Sequence, residues 1–445
     1  MRVLDLFSGL LSLLLGTPPH AEAQAVNWSS VVHESLVLSL IDTPSGDNAL
    51  TIGEPDPIAA ALVQQHLAAM STQGYPQTEQ GIWIASNQVL AEHAGTTPLP
   101  AASLTKIPTT LVALATWGPE HQFETIVATN GLIEAGTLQG DLIIQGGDDP
   151  FFVWEESISL GNALNQMGIQ QVTGDLVIMG NFAMNFEDDP LQTGTFLKQG
   201  LDQSQWSSEV ETQYQQLPPN TPRPSVLING VVRLATAPEI EGSVKPLVLH
   251  QSLPLANILK AMNIYSNNVI ADMLADTLGG ADVMAQRAAE LANVPPEEIQ
   301  LRNGSGLGEE NRISPRAVTA MLIATQRYLL PRQMSIADLY PIIGNDGGTL
   351  MGRQIPAGAV LKTGTLSRVS SLAGVIPTRD QGLIWFTIIN LGTGELQIPH
   401  SQQDLLLQQL QAAWGNPAPL PPSITPNRDW QNSFQLGAAD RNRQL

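Results

Sequence analysis

The sequence predicts an α/β (α+β) fold in which a sheet covered by helices is interrupted by a smaller inserted α+β module. Three observations carry this reading. Early in the chain, Gly81–Ser86 and Val89–His93 read as two strands around an Asn87-Gln88 turn, and the apolar stretch Leu104–Trp117 follows as a helix stopped by Gly118-Pro119. In the middle, Gly140-Asp141-Leu142-Ile143-Ile144 recurs 34 residues later as Gly174-Asp175-Leu176-Val177-Ile178, with a helix-like stretch from Glu155 to Met167 between the copies. Two copies are too few for a solenoid and fit two strands of one small module. Late in the chain, Ser371–Pro377 and Leu383–Asn390 are short apolar strands, and Gln402–Trp414 is a helix with Leu405, Leu406, Leu410 and Ala413 on its apolar side. Early and late strands in one sheet would bring the two ends of the main domain together.

The other elements fill this frame. Pro57–Met70 is a helix with Asp56 as its cap and proline at its first position. Phe123–Ala128 and Val226–Leu234 read as further strands, whereas Asp188–Pro224, rich in Gln, Ser, Thr and Pro, reads as a long loop or domain edge. Helical patterns return at Leu255–Met262, Asn267–Leu278, Val283–Leu291 and from Ser314-Pro315 to about Thr325. The expected division is a leader at 1–25, a first part of the main domain at 26–128, an inserted module at 129–245, a second part of the main domain at 246–415 and a polar, proline-rich tail at 416–445.

Composition narrows the destination and the partners. A chain of 445 residues with 43% apolar and 14% charged residues builds large cores in two or three domains. Its net charge of -21 argues against nucleic acid as a partner. No cysteine is present, which excludes disulfides and thiolate chemistry and suits an oxidising compartment. Arg2, the apolar run Leu6–Leu15 and the small residues Ala21, Ala23 and Ala25 predict an export leader, cleaved after Ala23 or Ala25. That run is too short to span a membrane comfortably and no later apolar stretch is long enough. The seven histidines are scattered without a ligand motif, and neither G-x-G-x-x-G nor a phosphate loop occurs, so no metal and no cofactor are expected.

Three short motifs carry chemistry. In Ser103-Leu104-Thr105-Lys106, three residues make nearly one helical turn, so the hydroxyl and the lysine stem project from one face and can meet. A serine is a poor nucleophile until a base removes its proton, and lysine serves as that base only if burial or a neighbouring cation depresses its pKa. Ser266-Asn267-Asn268 lies between two helices and, taken alone, reads as a cap and a polar bend. Lys362-Thr363-Gly364-Thr365 leads into a strand and, taken alone, reads as a strand edge with a glycine bulge. Each is common by chance; the ordered set S-x-x-K, S-x-N, K-T-G is not.

That set resembles the serine β-lactamase/penicillin-binding-protein transpeptidase-like fold. Longer strings, over roughly Gly81 to Gly415, bring the resemblance to D-alanyl-D-alanine carboxypeptidases/endopeptidases of peptidase family S13, the class C low-molecular-mass penicillin-binding proteins. They are Gly146-Gly147-Asp148-Asp149-Pro150, Asn303-Gly304-Ser305-Gly306-Leu307, Asn311-Arg312-Ile313-Ser314-Pro315, and Asp346-Gly347-Gly348-Thr349-Leu350 with Gly352-Arg353. The resemblance implies that Ser103 is acylated by the penultimate D-alanine carbonyl with Lys106 as general base, and that Ser266 relays a proton to the leaving amine. Asn268 would bind Lys106 and the substrate backbone, Lys362 and Thr363 the terminal carboxylate, and the N–H groups of Ser103 and Thr365 would form the oxyanion hole. Gly364 would let the substrate approach the strand edge. The implied partners are peptidoglycan stem peptides and cross-links, with β-lactam antibiotics as acylating inhibitors, in the periplasm or another exported location, with loose membrane association open.

The motifs leave open a β-lactamase or esterase of the same fold, or a cell-wall binding protein without activity. Arg353 and Arg368 are candidate supports for carboxylate binding, with an ordinary surface role as the alternative. The chain also departs from the family. The interval between Ser103 and Ser266 has room for one inserted module rather than two extra domains. Pro108 falls where it costs about 3 kcal/mol unless its neighbourhood lacks helical acceptors. Position 267 is Asn where the related motif has Asp, and 188–224 resembles nothing in the family.

Overall fold

A computed structural model describes residues 54–236, 244–392, 395–427 and 434–445. The leader expected at 1–25 lies outside them. Helix α1 (Pro57–Thr72) starts where Asp56 Oδ1 accepts from the N–H groups of Ile58 and Ala59, both at 2.9 Å, and proline occupies the first position. Strands β1 (Gln80–Ala85) and β2 (Val89–His93) form the early hairpin, and α2 (Lys106–Trp117) is the apolar helix. The middle of the chain holds β3 (Glu124–Thr129), β4 (Leu142–Gly147), α3 (Trp154–Gln166), β5 (Leu176–Asn181), α4 (Pro190–Gly200), α5 (Ser208–Tyr214), β6 (Val232–Leu234) and β7 (Lys245–Gln251). Four helices follow, α6 (Leu255–Tyr265), α7 (Asn268–Thr277), α8 (Ala281–Ala292) and α9 (Pro315–Leu329). The chain ends in β8 (Val360–Leu366), β9 (Val369–Pro377), β10 (Leu383–Leu391), α10 (Gln397–Trp414) and β11 (Asn442–Gln444).

Early and late strands share one antiparallel sheet of order β8-β9-β10-β1-β2. Both of its faces are buried, which is why β9 and β10 read as mainly apolar runs. Leu372, Ile376, Ile384, Phe386 and Ile388 point to a core shared with α1 and α10. Val369, Ala373, Val375, Trp385 and Ile389 point to a core shared with α2 and α9. Strand β8 is the edge, and its start is covered: Leu361 N–H donates to Pro341 O and Ile343 N–H to Ala359 O, both at 3.0 Å. The half that carries Lys362 to Thr365 lies beyond this cover.

The second large sheet has the order β6-β5-β4-β3-β7-β11. The duplicated Gly-Asp pattern is its organising feature, because β4 and β5 are parallel neighbours in which Leu142 pairs with Leu176. Asp141 Oδ1 accepts from Asp175 N–H at 2.8 Å, and Asp175 Oδ1 accepts from Val231 N–H at 2.9 Å, so each aspartate fixes the start of the next strand. The glycines make this approach available: a Cβ at Gly174 would lie 2.3 Å from Asp141 Oδ1, and one at Gly230 equally close to Asp175 Oδ1.

Two readings of this region need correction. The stretch 188–224 is not one long loop. It folds α4 behind an Asp189 cap and Pro190, and α5 behind a Ser207 cap. Their buried sides are small, Thr193, Gly194, Leu197, Gly200 and Val210, so no apolar stripe marks them in sequence. Val226–Leu234 is two short strands in different sheets, Leu227–Ile228 and β6, separated at Asn229-Gly230.

The end of the chain is built in rather than loose. Strand β11 pairs with β7, and Phe434 and Leu436 pack against the core to which α2 and α9 contribute. Arg441, nearly buried, donates to Glu156 Oε1 at 2.6 Å and to Gln435 O at 2.9 Å. Asn442 Oδ1 lies 2.9 Å from His250 Nδ1, and its amide donates to Ser159 Oγ at the same distance. Burial pushes the nearby carboxyls of Asp149 and Glu155 up to about 7 and His250 down to about 4. Arg441 is thus the cation of a dry acidic cluster.

Candidate active site

Ser103 sits in a 3₁₀ turn, Ala102–Thr105, that runs directly into α2 at Lys106, rather than in the first turn of the α-helix as the spacing suggested. The turn is tight: Ala102 has φ 49°, a left-handed conformation that a β-carbon disfavours and that the surroundings hold in place. Ala101 N–H donates to Asn311 O at 2.9 Å, and Ala101 O accepts from Ser371 Oγ at 2.8 Å. Because α2 begins at Lys106, Pro108 is its third residue, where the missing N–H has no helical acceptor to lose. The cost anticipated for Pro108 does not arise.

Lys106 is fully buried, and its Nζ has three partners: Asn268 Oδ1 and Ser305 O at 2.8 Å, and Ser103 Oγ at 3.2 Å. Burial lowers its pKa to about 7, with the Asp272 carboxylate pulling the other way. A neutral amine here donates its two N–H groups to the two carbonyl oxygens, which leaves the lone pair for the Ser103 hydroxyl. Asn268 is the first residue of α7, set there by Asn267, whose Oδ1 caps the helix on Ile270 N–H at 3.0 Å. Asn at 267 therefore does the capping work that an Asp would do.

Ser266 ends α6 with φ 55°, again left-handed, and its hydroxyl accepts from Lys362 Nζ at 3.0 Å. On β8, Val360 faces the α2 side, so the period of two turns Lys362 and Gly364 to that side as well. Lys362 also donates to Thr363 O at 2.7 Å and is wholly buried. Burial first, and then the neighbouring Lys106, push its pKa well down. Among the described residues no carboxylate lies within ion-pair distance of Lys362. The K-T-G run lies on the edge strand itself rather than before it. Thr363 Oγ1 donates to Thr349 Oγ1 at 2.7 Å, which ties the strand to the Asp346–Leu350 segment. That segment is in turn anchored by Lys260, whose Nζ reaches Asp346 Oδ2 at 2.7 Å.

Gly364 also meets a packing requirement that the sequence did not suggest. A Cβ there would lie 2.3 Å from Ser371 Oγ and 2.9 Å from both Ala101 O and Ser103 N, so glycine admits the nucleophile turn beneath the strand. Thr365 follows on the same edge and is exposed. Ser103, Lys106, Ser266, Asn268, Lys362 and Thr363 are thus linked by hydrogen bonds or chain adjacency, with Gly364 against Ser103 and Thr365 beside it.

Two candidates fall outside the site. Arg353 is committed to Asp404 of α10, at 2.9 Å from Nε and 2.7 Å from a terminal nitrogen. Arg368 is half-exposed at the β8–β9 turn, with Glu79 at 3.3 Å and Glu309 at 3.8 Å. Two contributors were not singled out in sequence: Ser305, through its carbonyl, and Asp272, whose Oδ1 accepts from Ser305 N–H at 2.8 Å. The Asn303–Leu307 string signalled the first, and nothing but its spacing from Asn268 signals the second.

An apposed serine, buried lysine and lysine-bearing edge strand define a serine acyl-transfer enzyme of the β-lactamase and penicillin-binding-protein fold. The chain belongs to the D-Ala-D-Ala carboxypeptidase 3 (S13) family, whose model matches residues 63–186 and 223–410. The segment between these matches is the one that holds α4 and α5 and resembled nothing in sequence. D-alanyl-D-alanine carboxypeptidase DacB of Haemophilus influenzae is 24% identical, over 81% of this chain and 95% of that protein. The fold is similar to that of the predatory endopeptidase Bd3459 from Bdellovibrio bacteriovorus in complex with immunity protein Bd3460, at a TM-score of 0.66 and 21% identity over 82% of this chain and 99% of that one. It is also similar to penicillin G acylated Bd3459, at a TM-score of 0.64 and 22% identity over 76% and 93% of the two chains. The protein is a serine-type D-Ala-D-Ala carboxypeptidase/endopeptidase by class. Among the described residues no helix is long and apolar enough to cross a membrane.

Proposed function

We propose that Ser103 is the nucleophile that opens the D-Ala-D-Ala bond of peptidoglycan stem peptides and that β-lactams acylate the same hydroxyl. The observation that carries this is the Lys106 amine, dry, bonded to two carbonyl oxygens and aimed at Ser103 Oγ. Lys106 takes the hydroxyl proton as Ser103 attacks the penultimate D-alanine carbonyl. The N–H groups of Ser103 and Thr365 stabilise the resulting oxyanion, and Ser266 passes the proton to the departing amine. Water then cleaves the acyl-enzyme and regenerates Ser103.

Lys362 and Thr363 receive the free carboxylate. A buried ammonium without an anionic partner is costly, and a substrate carboxylate supplies that partner. In this reading the catalytic residues come from 26–128 and 246–415, the insertion between them is the module at 129–245 together with β3 and β7, the flanking strands of its sheet, and the enzyme acts outside the cytoplasm on stem peptides and cross-links. Lys362→Ala is expected to weaken acylation by carboxylate-bearing substrates at least about tenfold more than acylation by neutral esters, the scale of a charge-assisted hydrogen bond. Equal losses on both would contradict the assignment. Mass analysis of purified muropeptides after incubation tests the reaction itself: loss of one terminal D-alanine marks carboxypeptidase action and separation of cross-linked dimers marks endopeptidase action. No cleavage of either would overturn the proposal.

A further inference from the structure

Helix α7 reaches the Lys106 amine twice. Asn268 does so directly, and Asp272, one turn further on, does so through the backbone of Ser305, whose N–H and C=O lie on either side of its Cα. Asp272 Oδ1 accepts from Ser305 N–H at 2.8 Å, while the Ser305 carbonyl accepts from Lys106 Nζ at the same distance. The loop that carries Ser305 packs closely between α7 and the nucleophile turn. A Cβ at Gly304 would lie 2.1 Å from Ala271 O on α7, and one at Gly306 1.9 Å from Ala102 O in the nucleophile turn. Asn303 Oδ1 holds the loop from within by accepting from Gly306 N–H at 2.8 Å.

We propose that Asp272 is a positioning residue for the acylation step: it pins the backbone of Ser305, whose carbonyl holds the Lys106 amine, and it places a negative charge near the amine that takes the Ser103 proton. This rests on the reading of Ser103 and Lys106 given above. The charged groups facing Lys106 among the described residues are Asp272 from α7 and Lys362 from β8, of opposite sign. The nucleophile turn and the Ser305 loop offer it only a hydroxyl and a carbonyl. Burial holds the Asp272 carboxyl above the usual range, against the Ser305 hydrogen bonds and Lys106, which favour its charged form. Burial likewise drives Lys106 down, and the Asp272 charge is what opposes it.

The two roles separate in Asp272→Asn, which keeps a carbonyl acceptor for Ser305 N–H and removes the charge. Without that charge Lys106 loses its proton more readily. The acidic limb of the acylation profile, measured with a labelled penicillin from about pH 5 to about pH 9, is expected to move down by about one pH unit. Asp272→Glu, which restores the charge, is expected to bring the midpoint back towards that of the unmodified enzyme. A role confined to structure would scale the rate equally at every pH, so an Asp272→Asn profile with its midpoint unmoved or moved upward overturns the inference. Asp272→Ser, also uncharged, carries the same test if the Asn variant does not fold. Ser103→Ala keeps this outcome distinct: persistent labelling of that variant sinks the reading of the site, whereas an unmoved midpoint with Ser103-dependent labelling sinks the Asp272 inference alone.

Discussion

Lys106→Arg, assayed as folded protein, is expected to be acylated by a labelled penicillin at least about 100-fold more slowly than the unmodified protein, the scale of a lost general base. Arginine keeps a cation at the foot of the cleft, so it separates charge from basicity. A guanidinium remains protonated in any accessible environment, whereas the Lys106 amine, lowered to about 7 by burial, is neutral in a large fraction of molecules near neutral pH. The sign of the pH dependence follows. Below about pH 7 Lys106 holds its proton and cannot take one from Ser103, so the rate of the unmodified enzyme rises with pH through that region. The Arg variant has no such rise. A variant that fell equally but kept the rise would place the base elsewhere.

Arg441→Met is expected to destabilise the protein by about 3–5 kcal/mol, the cost of breaking a buried ion pair by removing one partner. The Arg441–Glu156 pair lies 2.6 Å apart with both side chains nearly inaccessible, and Met fills much of the volume without the charge. The loss leaves Glu156 beside the buried Asp149 and Glu155, whose carboxyls burial already pushes up to about 7. Acids with raised folded pKa values bind more protons in the folded than in the unfolded state, so their contribution to stability falls as pH rises towards the folded value. Without Arg441 this effect strengthens, and the deficit is larger at pH 8 than at pH 5. Thermal unfolding at the two pH values measures it, and adding Glu156→Gln is expected to restore part of the loss. Melting of Arg441→Met alongside the unmodified protein would mean that the tail does not hold this region.

Within the candidate site, the Ser103–Lys106 pairing and the Asn267 cap were the most legible parts because their geometry is short-range. Ser103 and Lys106 needed only one turn of chain to meet, and Asn267 and Asn268 only a helix start. The shared sheet of β1, β2 and β8–β10 was legible too, since strands buried on both faces read as apolar runs and each set had a helix beside it. What escaped was set by contacts between distant residues. Ser305 contributes a backbone oxygen, which no residue type announces, and Asp272 is one polar residue on a helix with several. Arg353 was flagged for its charge, but only packing decides that its partner is Asp404. Helices α4 and α5 bury glycine and threonine where an apolar stripe would have given them away, although the Asp189-Pro190 start was present in sequence. The role of Arg441 was hidden for the same reason, because Glu156 lies far away along the chain.

The central claim is that one hydroxyl, that of Ser103, takes the acyl group. Mass measurement of the intact protein after exposure to penicillin G, followed by mapping of the modified peptide, tests this directly. A single adduct on Ser103, absent from a folded Ser103→Ala protein, is the result the geometry predicts. An adduct on any other residue, or undiminished labelling of Ser103→Ala, would contradict it.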